Sequence, residues 1–205
     1  MIFPGLPAPL ILGSASPSRA ALVEAAGLDV TVDPADIDER SIRKVLNRNG
    51  DAAPADVAEV LARAKAETVS ERHPGSLVIG SDQILALNDR IFEKPETMED
   101  ARQTLLALQG KTHQLHTAVA LSREGKVHWA HVETAELTMR VLSPNDIGRY
   151  LAVAGDDILS SVGAYKLESI GVQLFEKIVG DYFTVLGLPL VALLNQLRRE
   201  GSGTS

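Results

Sequence analysis

The chain has 205 residues, of which 45% are hydrophobic and 23% charged, and its formal net charge is −7. These values are typical of a globular protein, and the acidic balance argues against broad nucleic-acid or anionic-membrane surfaces. The chain has no cysteines, which excludes disulfides, thiolate nucleophiles and cysteine zinc sites. Residues 1–5 carry no basic segment and no stretch reaches transmembrane length, so we expect a cytoplasmic protein without a secretory signal.

The first predicted elements are a short apolar strand at Leu10–Leu12, a loop of small residues and a helix. Ser16 suits the N-cap and Pro17 suits the first helical position. Free backbone N–H groups at such a helix start favour anions, and the hydroxyl groups of Ser14 and Ser16 add to them. Arg19 lies in the first turn, where a cation is unfavourable unless an anion joins it. We therefore predict that Ser14, Ser16 and Arg19 bind phosphate; the alternative is a well-capped helix with a surface arginine.

Four carboxylates follow the next predicted strand within seven residues, at Asp33, Asp36, Asp38 and Glu39. Such a run is typical of a solvated loop. It also suits Mg²⁺, which usually binds one or two carboxylates together with substrate phosphates. Glu39 is the metal ligand that we carry forward from this run.

Residues 55–70 have the spacing of a helix, with a predicted buried stripe of Val57, Val60, Leu61 and Ala64. Lys65 lies directly beside this stripe. Its ammonium group either reaches solvent along the helix surface or enters a cleft.

The stretch Leu77–Lys94 holds the most unusual carboxylate. Two apolar runs are separated by Gly80-Ser81-Asp82-Gln83, which we interpret as a polar break in a buried strand. A carboxylate at Asp82 needs a metal, a proton to accept or a hydrogen-bonded cap, because Asp is rarely buried without a partner. Asn88-Asp89 is typical of a turn, so a hairpin is expected to bring Asp82 and Lys94 together. The alternative is a strand end with a solvated Asp.

The second half of the chain predicts further helices and an antiparallel hairpin. Thr97 and Ser143 each begin a capping-box pattern, and two apolar strands meet at residues 123–126. A strand at residues 172–179 and a last helix ending at Arg199 follow, with residues 201–205 as a flexible tail. Because the two strands form a hairpin, part of the sheet is expected to be antiparallel.

The candidates together describe a cleft for a polyphosphate and a divalent metal. In such a cleft cations hold the phosphates and a carboxylate positions or deprotonates water. The members of this set are Ser14, Ser16, Arg19, Glu39, Lys65, Asp82 and Lys94.

The sequence resembles the Maf family of nucleoside triphosphate pyrophosphatases from Leu12 to Arg199. The motifs that carry the resemblance are Ser14-Ala15-Ser16-Pro17-Ser18-Arg19, Asp38-Glu39, Ala64-Lys65-Ala66, Gly80-Ser81-Asp82-Gln83, Glu93-Lys94-Pro95, Gly163-Ala164-Tyr165, and Gly180-Asp181 with Gly187-Leu188-Pro189-Leu190. The resemblance implies an α/β fold, with a mixed, elongated and twisted sheet that is flanked by helices. It further implies a single domain over residues 1–205, with two lobes around a central cleft, that is often a homodimer. It also implies hydrolysis between the α and β phosphates of a nucleoside triphosphate, which is a house-cleaning reaction that needs Mg²⁺ or Mn²⁺. Asp82 matches the family's proton acceptor; Lys65, Lys94 and Glu39 complete the implied catalytic set, and Glu39 and Asp82 are the implied metal ligands.

Three positions bear on the base of the substrate. Gln83 and Glu168 resemble the family branch that acts on 7-methyl-GTP, whereas the dTTP and UTP branch usually has Thr and Gln there. A carboxylate at Glu168 can accept hydrogen bonds from the N1–H and N2–H₂ edge of guanine and complements the charge that 7-methylation adds. Ser18 stands where the 7-methyl-GTP branch often has Trp, and Gly180–Thr184 is closer to the pyrimidine branch. A dTTP/UTP pyrophosphatase and a non-catalytic nucleotide-binding regulator of cell division are therefore alternatives.

Overall fold

The computed structural model describes residues 8–46, 52–88 and 90–202. Over these residues the strands are β1 (Leu10–Leu12), β2 (Val30–Val32), β3 (Leu77–Leu87), β4 (Arg90–Phe92), β5 (Thr112–Arg123), β6 (Lys126–Met139) and β7 (Phe175–Val179). The helices are α1 (Pro17–Ala25), α2 (Glu39–Leu46), α3 (Pro54–Arg72), α4 (Met98–Leu108), α5 (Pro144–Ala154), α6 (Tyr182–Val185) and α7 (Leu190–Ser202). No helix within these ranges is long and apolar enough to cross a membrane. The predictions made on residues 1–5, on Asp89 and on residues 203–205 lie outside them.

The strands form one mixed sheet in the order β2-β1-β3-β5-β6-β7, with β4 also paired to β3. Strand β1 is parallel to β2 and β3, and every other pair is antiparallel. The hairpin between β5 and β6 turns at Glu124 and Gly125, which have φ angles of 53° and 73°. Two consecutive positive φ angles are typical of the tight turn that matches strand twist. The predicted mixed α/β class is confirmed.

Strand β3 has a gap along one edge. On its other edge β5 pairs with every residue from Val78 to Ala86. On the gapped edge β1 pairs with Leu77–Ile79 and β4 with Leu85–Leu87, so residues 80–84 have no strand neighbour there among the described residues. The prediction of a polar break was wrong, because the continuous pairing with β5 keeps β3 extended through Asp82. The sheet opens at Asp82 by losing a neighbour instead.

The apolar core is divided between groups of elements that share the long strands. One cluster packs α4 and α5 against β5 and β6, and includes Leu105, Leu137 and Ile147. A second packs α1 and α7 against β1 and β3, and includes Leu12, Val23 and Leu193. A third packs α3 against the middle of β3 and β5. The description as one domain with two lobes remains a prediction.

Local signals define most helix ends. Both predicted capping boxes are present, with Thr97 paired to Asp100 and Ser143 paired to Asp146. One helix and two element ends differ from the sequence analysis. Helix α2 was not predicted; β7 begins at Phe175 because residues 170–174 form a 3-10 helix. The flexible tail was wrong for residues 201 and 202, since α7 continues to Ser202, whose Oγ donates to the Arg198 carbonyl oxygen.

Candidate active site

The gap in β3 opens into a cleft of about 500 Å³. All the residues proposed from the sequence line this one cleft: Ser14, Ser16, Ser18, Arg19, Glu39, Lys65, Asp82, Gln83, Lys94 and Glu168. They come from distant parts of the chain. Ser18, Gln83 and Glu168 were proposed from the family resemblance, and the fold places them in the same cleft as the residues that were proposed from their chemistry. Their individual roles remain predictions.

Asp82 lies at the centre of the cleft and is 4% exposed. Its Oδ1 accepts a hydrogen bond of 2.6 Å from Lys65 Nζ, while its Oδ2 is buried and has no hydrogen-bond partner among the described residues. Lys65 Nζ also lies 2.7 Å from Glu39 Oε1. One buried ammonium group therefore joins two carboxylates and leaves one oxygen of Asp82 available.

Lys65 reaches Asp82 because α3 lies unusually close to β3. A Cβ atom on Gly80 would be 2.3 Å from the Ala62 carbonyl oxygen, so only glycine allows this approach. Gly80 and Asp82 are two residues apart on a strand and share the face that α3 covers. The close approach explains why Lys65, on that helix, enters the cleft instead of reaching open solvent.

The buried face of α3 differs from the predicted stripe. Val57 and Leu61 are buried as expected, but Val60 is 37% exposed and Ala64 is only partly buried. The remaining buried face consists of the small residues Ala58, Ala62 and Ala66 with Lys65, Val69 and Ser70. Small side chains allow the helix to approach the sheet. Which residues of α3 are buried therefore depends on the size of their side chains as well as on hydrophobicity.

Glu39 is the first residue of α2 and contacts two cations. Its Oε1 binds Lys65, and its Oε2 accepts a hydrogen bond of 3.0 Å from Arg43 Nη2 one turn later. Burial raises the pKa of Glu39, but the charges of Lys65, Arg43 and Lys94 outweigh burial and hold that pKa below its ordinary value. Asp38 caps the same helix by accepting from the Ser41 backbone N–H at 3.0 Å.

Arg19 is buried and bonds to the protein itself. Its Nε donates to the Gly187 carbonyl oxygen at 2.6 Å, and its Nη1 donates to Ser14 Oγ at 3.0 Å and to the Ser81 carbonyl oxygen at 2.9 Å. Burial lowers the pKa of Arg19, and the charges of Asp82 and Glu39 oppose this. The neutral oxygen atoms that accept hydrogen bonds from Arg19 carry no charge, so the expectation that Arg19 binds phosphate remains a prediction. Only Nη2 makes no hydrogen bond within the described residues.

Lys94 follows β4 and lines the cleft with Asp82, as the hairpin prediction required. Loss of solvent in the cleft lowers the pKa of Lys94, the charge of Arg19 lowers it further, and Glu39 and Asp82 oppose the change. Lys94 makes no hydrogen bond or ion pair to another described residue. Its ammonium group is therefore available to an anionic ligand.

The proposed base-recognition residues fall into two arrangements. Ser18 Oγ donates to Glu168 Oε1 at 3.2 Å, so these two residues meet although 150 positions separate them. Gln83 Nε2 donates to Thr117 Oγ1 and to the carbonyl oxygens of Thr184 and Val185, at 2.9, 3.0 and 3.2 Å. The amide nitrogen of Gln83 thus holds α6 against the sheet, whereas the Glu168 carboxylate is exposed.

Sequence reasoning missed several charged residues of the cleft. The missed lining residues include Arg40, Arg43, Glu93, Glu96 and Lys166. A signal was present for Arg43, because Glu39 and Arg43 have the four-residue spacing of a helical ion pair. Helix α2 itself went unpredicted, so this spacing was not recognised.

The cleft offers carboxylate oxygen atoms to a divalent metal. No group of three or more His, Asp or Glu side chains in the described ranges is arranged to hold a metal by itself. The unpartnered Asp82 Oδ2 is nevertheless a hard oxygen donor in a buried position, and its carboxylate shares Lys65 with Glu39. Mg²⁺ commonly binds through one or two carboxylates, water and substrate phosphates. The residues present therefore fit a metal that is completed by a polyphosphate.

Comparison with known proteins gives sequence matches over most of the chain. A family model described as Maf-like protein matches residues 9–200. A 7-methyl-GTP pyrophosphatase from Mesorhizobium japonicum is 56% identical over 193 residues, covering 94% of this chain and 96% of that protein. A nucleoside triphosphate pyrophosphatase from Rhodopseudomonas palustris is 48% identical over 194 residues, covering 95% of each. Among solved structures, a HAM1 protein from Coxiella burnetii is similar with a TM-score of 0.41 and 14% identity, over 64% of this chain and 73% of that one.

Proposed function

The chain belongs to the Maf-like protein family, and on this premise we propose that it hydrolyses the α–β phosphoanhydride bond of a nucleoside triphosphate. The products are a nucleoside monophosphate and pyrophosphate. The observation that carries the proposal is the buried Asp82 carboxylate, which has one oxygen held by Lys65 and the other unpartnered in a cation-lined cleft. The relatives named 7-methyl-GTP pyrophosphatase, at 56% identity, support the same reaction. We propose a cytoplasmic house-cleaning role.

The chain's own residues supply the proton transfer. A water oxygen attacks the α phosphorus, the bond to the bridging oxygen breaks, and its electron pair leaves with pyrophosphate. Asp82 Oδ2 accepts the proton of that water, while Lys65 fixes the carboxylate through Oδ1 at 2.6 Å. The N-terminus of α1, with Ser14 and Ser16, suits the α phosphate, because helix N–H groups favour anions.

A divalent metal, Mg²⁺ or Mn²⁺, is proposed as the cofactor. Asp82 and Glu39 are the residues that would hold it together with substrate phosphates. When bound, such an ion would offset the charge that develops on the phosphate oxygens. Holding the metal and accepting the proton are alternative roles for Asp82 Oδ2.

The base we propose is a 7-methylguanine. The Glu168 carboxylate is exposed in the cleft lining, where it can accept hydrogen bonds from the guanine edge and offset the charge of the methylated ring. A dTTP or UTP substrate is the second candidate. It is favoured by Ser18, which offers no aromatic face for stacking on a cationic base, and by the stretch from Gly180 to Thr184.

The experiment that tests the function is pyrophosphate release with Mg²⁺ from 7-methyl-GTP, GTP, dTTP, UTP and CTP. We expect the highest kcat/KM for 7-methyl-GTP. A preference for dTTP and UTP would retain the reaction and reverse the base assignment. Nucleotide binding without release from any of the five would favour the non-catalytic regulator.

A further inference from the structure

The cations of the cleft are not equally available to a ligand. Six basic side chains line it, namely Arg19, Arg40, Arg43, Lys65, Lys94 and Lys166. Lys65 is shared by two carboxylates, Arg19 is bonded to protein oxygen atoms, and Lys166 Nζ lies 2.6 Å from Asp157 Oδ1. Because a triphosphate carries several negative charges, its binding requires the remaining cations, Lys94, Arg40 and Arg43.

The protein pairs only part of the hydrogen-bond donors of Arg43. Its Nη2 binds Glu39 Oε2 at 3.0 Å, but its Nη1 is 4.0 Å from Glu93 Oε1, at the outer limit of an ion pair. Its Nε is buried without a hydrogen-bond partner among the described residues. Arg40 pairs with Glu96, and both side chains are more than 70% exposed, so solvent screens that pair strongly. Both guanidinium groups can therefore exchange weak carboxylate contacts for phosphate oxygens.

A chain of contacts orders the cleft from one end to the other. Ser18 and Glu168 form one end, and the adjacent Arg19 bonds to the carbonyl oxygen that precedes Asp82. Asp82 and Glu39 meet through one lysine at the centre. Arg43 lies beyond Glu39, on the side opposite to the Ser18 end of this chain of contacts. On the proposed function, in which Asp82 activates the attacking water and Glu168 binds the base, the bond to be cleaved lies along this chain of contacts between Glu168 and the arginines of α2.

We infer that Arg43, with Arg40 and Lys94, forms a subsite for the β and γ phosphates and holds the departing pyrophosphate. This inference rests on the proposed function, because it assigns the two products to opposite ends of the same cleft. A guanidinium group presents a planar pair of donors that matches phosphate oxygens, and its charge persists at every working pH. Local cations of this kind are needed because the chain as a whole carries a net charge of −7.

The test measures the binding of each product separately by calorimetry, in a buffer that contains Mg²⁺. Arg43→Gln is expected to raise the Kd for inorganic pyrophosphate about tenfold, since a hydrogen bond between charged groups is lost. The Kd for 7-methyl-GMP is expected to stay within about twofold, because that product occupies the other end. Arg43→Lys retains the charge and should weaken pyrophosphate binding by less.

Arg63→Gln is the matched control. Arg63 also pairs with a glutamate four residues away, at 2.7 Å from Glu59 Oε1, but it does not line the cleft. Neither Kd should change in this variant, and thermal unfolding should show that all variants are folded. An unchanged Kd for pyrophosphate in Arg43→Gln, or an equal loss of 7-methyl-GMP binding, would overturn the subsite. If no nucleotide is hydrolysed but pyrophosphate binding still depends on Arg43, the subsite stands and the proposed function fails.

Discussion

At the scale of single residues, the ammonium group of Lys65 determines which oxygen atoms of Asp82 and Glu39 are paired within the protein. It is buried and lies within 2.7 Å of both Asp82 and Glu39. A buried charge is tolerated when it is paired, and removing one partner of a buried pair costs about 3–5 kcal/mol. The three side chains are therefore expected to act as a unit, with Asp82 Oδ2 as their unpaired oxygen.

Glu168 is the residue on which the proposed choice of base depends. Glu168→Gln keeps the side-chain shape but removes the charge, and charge-assisted hydrogen bonds are about twice as strong as neutral ones. We expect the ratio of kcat/KM for 7-methyl-GTP to that for dTTP to fall about tenfold. Steady-state kinetics on both nucleotides measure this ratio. Glu176→Gln, at an exposed position of β7 outside the cleft, is the control. An unchanged ratio in Glu168→Gln would contradict the base assignment.

Some residues of the site could be selected from the sequence because their types are unusual where they stand, whereas Ser18, Gln83 and Glu168 were selected from the family resemblance. Asp82 follows an apolar run, and Arg19 lies at the wrong end of a helix. The contacts of Arg19 were not predictable. Its shortest hydrogen bond is to the Gly187 carbonyl oxygen, which is 168 positions away in the sequence. A backbone oxygen leaves no signal of its own in the sequence.

At the scale of elements, the close contact of α3 with β3 positions the site. The contact depends on Gly80 and on the alanines that face it. Because Lys65 and Asp82 belong to these two elements, any change in their separation acts directly on the 2.6 Å hydrogen bond between them.

Gly80→Ala is therefore expected to destabilise the protein and to lower its turnover. The new methyl group would lie 2.3 Å from the Ala62 carbonyl oxygen and 2.6 Å from the Ala66 backbone nitrogen, which are rigid atoms. Overpacking of this kind costs about 1–3 kcal/mol in the free energy of unfolding, and urea denaturation measures it.

Gly148→Ala is the matched control for this change. Gly148 lies in α5, and a Cβ atom there would meet only Arg102 Nη2, at 3.4 Å. A helical Gly→Ala change removes backbone freedom from the unfolded chain, so we expect a gain of about 0.5–1 kcal/mol. Equal effects of the two changes would contradict the view that contact with α3 requires Gly80.

Elements with local signals were predicted, and those stabilised by distant contacts were not. The capping boxes of α4 and α5 lie within four residues of sequence, so their starts were clear. Helix α2 has no buried residue, and its Ile42 and Leu46 only partly pack against the α3 cluster. The continuity of β3 through Asp82 depends on pairing with Ala118 of β5, which the local sequence does not show.

At the scale of the whole molecule, strands β3 and β5 contribute residues to all three apolar clusters. Strand β5 also contains a buried histidine. His113 of β5 is 1% exposed, and its Nε2 lies 2.7 Å from the hydroxyl group of Tyr165 in the cleft lining. Burial lowers the pKa of His113 from 6.5 to about 4. The folded protein therefore holds this histidine in its neutral form at neutral pH.

This histidine makes the global stability depend on pH. Between pH 6.5 and about 4 the unfolded chain binds a proton at His113 that the folded chain does not. The free energy of unfolding should therefore fall as the pH is lowered through this window, by about 3 kcal/mol from this residue. Urea denaturation across the window should show a flatter dependence for His113→Gln. A slope for His113→Gln equal to that of the unchanged protein would contradict this account.

The central claim is that Asp82 accepts the proton of the attacking water in a reaction that splits the α–β bond. The most direct measurement compares the products and rates of 7-methyl-GTP hydrolysis for the unchanged protein and for Asp82→Asn. We predict 7-methyl-GMP and pyrophosphate from the unchanged protein, and a rate lower by at least about a hundredfold in the variant. The variant is expected to be less stable but still folded and able to bind 7-methyl-GMP, because Lys65 remains paired with Glu39. Full turnover by Asp82→Asn, or release of a nucleoside diphosphate with phosphate, would contradict it.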